Sequence, residues 1–174
     1  MLVSGCMIVP GAIQEGEGTY FDADGSGICS FDPMAGHAYA AMNEQDYENS
    51  RLCGGWITVT GPSGSPTVQV VDRCPECAPG DVDLSLGAFS EIAAPALGRV
   101  PITWHLHSGG AIGPMKLQVK EGSNQWWLAI QARNHRNLIG SMEVEVGATW
   151  VPMTRQQYNY FVYEGDAGPG PYKV

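Results

Sequence analysis

Short runs of alternating apolar and polar residues, interrupted every few positions by glycine and proline, run through most of this chain. Trp56-Ile57-Thr58-Val59-Thr60 and Thr67-Val68-Gln69-Val70-Val71 follow the period of two expected of strands with one buried face. Between them, Gly61-Pro62-Ser63-Gly64-Ser65-Pro66 is turn chemistry throughout, so the two runs predict a hairpin. Thr19-Tyr20-Phe21 and residues 100–106 add further strands. Leu86, Phe89, Ile92 and Ala93 recur instead at helical spacing behind Ser85, a residue type that suits a helix N-cap. Residues 1–16 show no periodicity and are expected to form a tether.

After Leu106 the pattern changes. Ser108-Gly109-Gly110-Ala111-Ile112-Gly113-Pro114 is Gly-rich and predicts a boundary, with a first unit over 17–107, a linker over 108–113 and a second unit over 114–174. In the second unit residues 115–120, 127–133, 142–146 and 158–163 read as strands. Met142, Val144 and Val146 alternate with Glu143 and Glu145. This unit reads as a β-sandwich, yet an immunoglobulin-like sandwich takes about 100 residues. It is therefore expected to be C-terminally truncated, and the chain to be a fragment at both ends.

Composition sharpens this picture. With 23 glycines and 12 prolines against 16% charged residues, turns and short strands are favoured over helices. The net charge of −9 disfavours nucleic acid, an anionic membrane surface and acidic pectin as partners. No apolar run approaches the ~18 residues of a transmembrane segment. Of five cysteines, Cys29, Cys53, Cys74 and Cys77 share one segment and Cys6 stands apart. Two disulfides with an odd Cys6 fit a secreted protein, and the spacing does not fix the pairing. A zinc site would want a second C-x-x-C knuckle. A redox Cys74-Pro-Glu-Cys77 would want a helix where Pro79 and Gly80 follow. Met1 to Cys6 also resembles the tail of a lipoprotein signal, without its basic start, so a lipid anchor at Cys6 is a second expectation.

Candidate chemistry concentrates in two stretches. Residues 72–86 place Asp72 at the end of an apolar strand and Asp83 just ahead of the helix, with a stiff, cysteine-braced loop between. Two carboxylates on a rigid loop suit protonation of a sugar oxygen or a grip on a glycan. They equally suit helix capping and turn scaffolding. Asp81 reads as a solvated turn residue and Glu76 as exposed. The second stretch, residues 120–127, ends in Trp126-Trp127, flat rings suited to sugar faces. Neighbours in a regular strand face opposite sides, so both are exposed only if Trp126 belongs to the preceding loop. Tyr158 alternates with Tyr160 and Val162, which leaves it as suited to packing as to exposure. Trp56, Trp104 and Trp150 sit in apolar patterns and are expected in or near the core. His105 and His107 share a strand face without a third ligand, so no metal is expected, and no cofactor. Arg133 and His135 read as structural.

Three motifs in order resemble the microbial expansin family. They are Val-Val-Asp72-Arg-Cys-Pro-Glu-Cys-Ala-Pro-Gly-Asp-Val-Asp83-Leu-Ser, Lys120-Glu-Gly-Ser-Asn-Gln-Trp126-Trp127-Leu-Ala-Ile-Gln-Ala-Arg-Asn134-His135, and Gln157-Tyr158-Asn-Tyr-Phe161. The resemblance covers residues 17–174. It implies an all-β chain, a six-stranded double-psi β-barrel related to family 45 glycoside hydrolases followed by an incomplete, immunoglobulin-like sandwich of the family 63 carbohydrate-binding type. It implies non-hydrolytic loosening of cell walls by a secreted monomer, with cellulose or a related β-glucan or xyloglucan as partner. Thr19, Asp72 and Asp83 would form the groove, Asp83 standing where the hydrolase relatives keep their general acid. Trp126, Trp127 and Tyr158, with Lys120 nearby, would form the polysaccharide-binding face. Many bacterial members have a tyrosine where this chain has Cys74. Two other functions stay open: an inverting endo-β-1,4-glucanase with Asp83 as acid and Asp22 or Asp24 as base, and an envelope-anchored barrel that binds peptidoglycan.

Overall fold

The computed structural model describes residues 8, 11–34, 36, 38–108 and 113–174. Cys6 lies outside them. Six strands close a barrel: β1 (Gln14–Phe21), β2 (Tyr39–Asn43), β3 (Trp56–Thr60), β4 (Thr67–Cys74), β5 (Val82–Ser85) and β6 (Val100–His107). Around the barrel the order is β1-β5-β2-β4-β3-β6, and β6 pairs back onto β1. β1–β5 and β2–β4 are parallel and the other pairs antiparallel. The predicted hairpin is present, with Ile57 opposite Val68. Alternate residues fill the interior: Ile57, Val59, Val68, Val70, Val82, Leu84, Ile102 and Trp104 share one apolar cluster. Buried Trp104 donates its indole N–H to the Gly80 carbonyl at 2.8 Å, so its one polar atom is satisfied. Gly80 passes so close to β1 that a Cβ on Gly16 would stand 2.2 Å from its oxygen.

Several expectations need correction. β1 begins at Gln14, inside the stretch read as a tether, and its first residues pair with β6. Ile8 is also buried, its N–H on the Glu48 carboxylate at 2.8 Å. β2 lacks a polar alternation because all five of its residues are buried. Asp83 lies within β5, not in a loop before the helix. Ser85 precedes α2 (Leu86–Ile92), but its hydroxyl accepts the Tyr39 N–H at 3.1 Å and caps nothing. Asp81 is buried, accepting the Glu17 N–H at 2.8 Å and the Ala78 N–H at 3.3 Å. Together with α1 (Glu44–Tyr47), whose Asp46 holds the Gly80 N–H at 2.9 Å, it anchors the loop between β4 and β5.

Beyond the barrel, β7 (Lys116–Val119), β8 (Trp127–Arg133), β11 (Thr154–Arg155) and β12 (Phe161–Glu164) form a sheet ordered β11-β12-β8-β7. β9 (Glu143–Val146) and β10 (Thr149–Pro152) form a separate ribbon. Leu128, Ile130 and Phe161 meet Val144 and Met153 on one side of the sheet. Ala129, Tyr160 and Val162 cluster on its other side, as strand alternation requires. The strand predicted from residue 158 starts only at Phe161, because the Gln156 N–H closes a turn onto Tyr160. Trp150 is not core: Val151 opposite Val144 faces inward, which leaves Trp150 50% exposed.

The four paired cysteines are Cys29–Cys53 and Cys74–Cys77, with sequence separations of 24 and 3. Loop-closure entropy makes the longer bridge the more stabilising, about 3.5 against about 2 kcal/mol. Cys29→Ser/Cys53→Ser is therefore expected to lower the urea midpoint more than Cys74→Ser/Cys77→Ser. Equal midpoints for the two variants would contradict this.

Candidate functional site

Thr19, Asp83, Ala41 and Asp72 are successive register partners across β1, β5, β2 and β4. The in-strand neighbours of Asp83 and Ala41, namely Val82, Leu84, Ala40 and Met42, point into the core, so these two face outward, and Thr19 and Asp72 share that face as their register partners. At ~4.8 Å per strand the two aspartate Cα atoms stand about 10 Å apart, with only the Ala41 methyl between them.

Asp72 owes this direction to a β-bulge. Ala40 pairs with Val70, but Ala41 pairs with Asp72, so Val71 is the extra residue. Without the bulge Val71 would take the outward position and Asp72 would turn into the barrel. Asp72 Oδ1 accepts the Ile28 N–H at 2.8 Å, and Val71 O accepts the Cys29 N–H at 3.1 Å. The loop of residues 27–29 can lie this close because residue 27 is glycine. A Cβ there would stand 2.6 Å from Asp72 Cβ and Cγ. Gly27→Ala is therefore expected to push Asp72 aside and to cost about 2 kcal/mol in a urea titration, with little change in far-UV circular dichroism. An unchanged urea midpoint would show that Asp72 does not depend on this contact.

Thr19 Oγ1 donates to Asp83 Oδ1 at 2.6 Å. Burial raises the Asp83 pKa above the usual carboxylate value, the Thr19 hydrogen bond opposes it, and Glu76 adds to it. A raised carboxyl is suited to keep or exchange a proton with a sugar hydroxyl. The Cys74–Cys77 bridge closes the loop start between the strands that carry the two aspartates. Asp22 and Asp24 are exposed. Asp24 accepts the Ser26 N–H at 2.9 Å and the Ser26 hydroxyl at 2.5 Å, which lower its pKa.

At the start of β8, Asn124 and Trp127 bridge across a turn that contains Gln125 and Trp126. Asn124 Oδ1 accepts the backbone N–H of Trp126 at 2.9 Å and of Trp127 at 3.2 Å. Trp126 thus leaves the strand alternation and is 60% exposed. Half-buried Trp127 and Tyr158 pack against Ala129, Tyr160 and Val162. Lys120 Nζ lies 5.3 Å from the Tyr160 ring centroid. The structure therefore gathers Trp127, Tyr158 and Lys120 around Tyr160, with Trp126 on the adjoining turn.

One loop joins the two places. Beside Ile28, which holds Asp72, the Cys29 carbonyl accepts Gln131 Nε2 at 2.8 Å and Asn159 Nδ2 at 3.2 Å. Ser30 Oγ donates to the Tyr158 carbonyl at 3.0 Å. From the barrel, Tyr47 OH donates to Gln157 O at 2.5 Å and Ser50 Oγ to Gln156 O at 2.8 Å. Arg133 and His135 hold structure as expected. Arg133 pairs with Asp32 at 2.6 Å, and buried His135 bonds the Asn137 carbonyl at 2.9 Å. Sequence reasoning missed Gly27, Ile28, Ser30, Ala41 and Tyr160. Only Gly27, in a Gly-Ser-Gly run, carried a signal of close approach. Among the described residues no group of three His, Cys, Asp or Glu side chains converges on a metal position.

The barrel thus carries this row on its outer face, and the appended sheet carries the aromatic rings. Residues 13–104 match the DPBB_1 family model, described as lytic transglycolase. Expansin-YoaJ of Bacillus subtilis is 36% identical over 168 residues, covering 93% of this chain and 72% of its own. Expansin-like protein 1 of Dictyostelium discoideum is 24% identical over 97% of this chain and 64% of its own. The crystal structure of apo Clavibacter michiganensis expansin superposes with a TM-score of 0.85 at 32% identity, covering 92% of this chain and 83% of its own. An aspartate-to-asparagine mutant of that expansin, crystallised with cellohexaose, gives 0.86. The chain belongs to the expansin family, its barrel being of the DPBB_1 type.

Proposed function

We propose that this protein binds cellulose or a related β-glucan and loosens polysaccharide contacts without cutting the chain. The observation that carries this reading is the outward row Thr19–Asp83–Ala41–Asp72 on a barrel that superposes on an expansin crystallised with cellohexaose. Trp126, Trp127 and Tyr158 dock on the glucan through ring faces, where axial C–H bonds pack on aromatic surfaces, and Lys120 flanks them. The groove then holds a segment of chain, with Asp83 and Asp72 exchanging hydrogen bonds with its hydroxyls. Interchain hydrogen bonds are replaced by bonds to protein, and no covalent step is needed.

Hydrolysis with inversion would require an ionised carboxylate about 6.5–9.5 Å from the acid, aimed at a water. Asp24 is turned onto its own Ser26, and one oxygen of Asp72 is occupied by the Ile28 N–H. Asp22 is exposed, and the reading without cleavage rests on the expansin relatives. The last six strands form the sandwich of a carbohydrate-binding domain, its two faces being the four-stranded sheet and the β9–β10 ribbon. Two disulfides fit an oxidising, extracellular setting, and no helix among the described residues is long and apolar enough to cross a membrane. Sedimentation with crystalline cellulose, alongside sedimentation with peptidoglycan and reducing-sugar release from soluble β-glucan, tests the reading. Binding to cellulose without sugar release supports it. Preference for peptidoglycan, in keeping with the lytic transglycolase description of the family model, would replace it.

A further inference from the structure

A second row, half-exposed at Gln69 and Trp56 and buried at Tyr39, lies one step along the barrel from the first. Tyr39, Gln69, Trp56 and His107 are register partners across β2, β4, β3 and β6. Between this row and the four-stranded sheet opens a cleft of about 490 Å³, lined by Phe31, Tyr39, Trp56, Gln69, Arg133 and Asn134, among others. Tyr39 is two residues from Ala41 on β2, so the cleft begins about 7 Å from the middle of the Asp72–Asp83 groove. Neither the groove nor the Trp126–Trp127 platform includes any of these residues.

We propose that this junction cleft is a further sugar subsite that takes one or two neutral pyranose rings. The proposal rests on the polysaccharide reading above. Half-exposed Trp56 and Phe31, backed by buried Tyr39, with a few fixed polar groups suit pyranose recognition: ring faces for the C–H bonds and amides for the hydroxyls. The polar groups are already held in place. Gln69 Nε2 donates to the Gly54 carbonyl at 3.3 Å, and Asn134 Nδ2 donates to the Pro114 carbonyl at 2.9 Å. The Arg133 guanidinium is committed to Asp32, to Gln131 Oε1 at 2.6 Å and to the Ser30 carbonyl at 3.1 Å, and lies over the Phe31 ring. Its charge is thus balanced inside the wall, which favours a neutral ring over a uronic acid, and exposed Lys116 stands at the rim. A volume of this size holds a short saccharide and not a long chain. The ring belongs either to the end of a linear glucan or to a side branch.

Titration calorimetry of the whole chain with cellotetraose and with a xylose-branched xyloglucan oligosaccharide tests this. Trp56→Ala and Gln69→Ala are each expected to weaken at least one of the two sugars about tenfold. Both should leave sedimentation on crystalline cellulose within twofold. Trp126→Ala/Trp127→Ala should do the reverse. The sugar that loses more affinity identifies the source of the ring. Gln69→Ala removes only a half-exposed amide, so it reports even where Trp56→Ala unfolds, and a thermal melt separates the two cases. Wild-type affinity in the folded variants, or no binding of either sugar by the wild type, overturns the subsite. Failure of the wild type to sediment with cellulose counts instead against the polysaccharide reading.

Discussion

Asp83→Asn will abolish loosening of cellulose while raising the unfolding temperature at neutral pH. The two effects share one cause. Burial holds the Asp83 pKa above its usual value, so the folded state binds this proton more tightly than the unfolded chain does. The favourable contribution is fully present below the unfolded carboxylate value of about 3.9 and is lost as pH rises through the folded one. At pH 7 the wild type keeps a partly buried charge that asparagine lacks. The amide oxygen can still accept the Thr19 hydroxyl. The melting temperature of the variant should therefore exceed that of the wild type at pH 7, with the gap closing below pH ~4. Stability gained at the expense of a functional group is a common trade at binding sites. Loosening should fall to background, because the amide can neither hold the charge nor exchange the proton. Lower stability of the variant at pH 7, or undiminished loosening, would contradict the role given to Asp83.

Trp126→Ala/Trp127→Ala will lose about 100-fold in affinity for crystalline cellulose, roughly tenfold per ring. The single variants should differ in stability. Trp126 is exposed on a turn and its loss should cost nothing measurable in a melt. Trp127 packs against Ala129, Tyr160 and Val162, so Trp127→Ala should cost about 2 kcal/mol for the partly buried ring. Sedimentation isotherms and urea titrations of the three variants measure both effects. An unchanged isotherm for the double variant would move the docking face elsewhere.

Much of this was legible in the sequence, and the gaps have physical causes. The hairpin of β3 and β4 and the strand β8 were legible because each has one buried face or a long apolar run. β2 and β5 were not, because one is buried throughout and the other is four residues long. Asp72 and Asp83 stood out as acids in a stiff loop, but simple alternation along β4 would turn Asp72 inward. The bulge that reverses it is a pairing property of two strands, which one chain's pattern does not reveal. Ala41 offered no chemical signal, since its part is to be small between two carboxylates. The platform was legible from the Trp126-Trp127 pair only with a turn before it, and the Asn124 cap supplies that turn. Trp150 looked like core because an exposed tryptophan on a two-stranded ribbon has the same local sequence as a buried one.

In the proposed mechanism binding energy alone weakens the contacts between glucan chains. Its most direct test is extension of a cellulose strip under constant load, with reducing sugar assayed in the same bath. The wild type is expected to accelerate extension with no sugar released, and Asp83→Asn is expected to leave extension at the rate without protein. Extension that proceeds only in step with sugar release would contradict this mechanism.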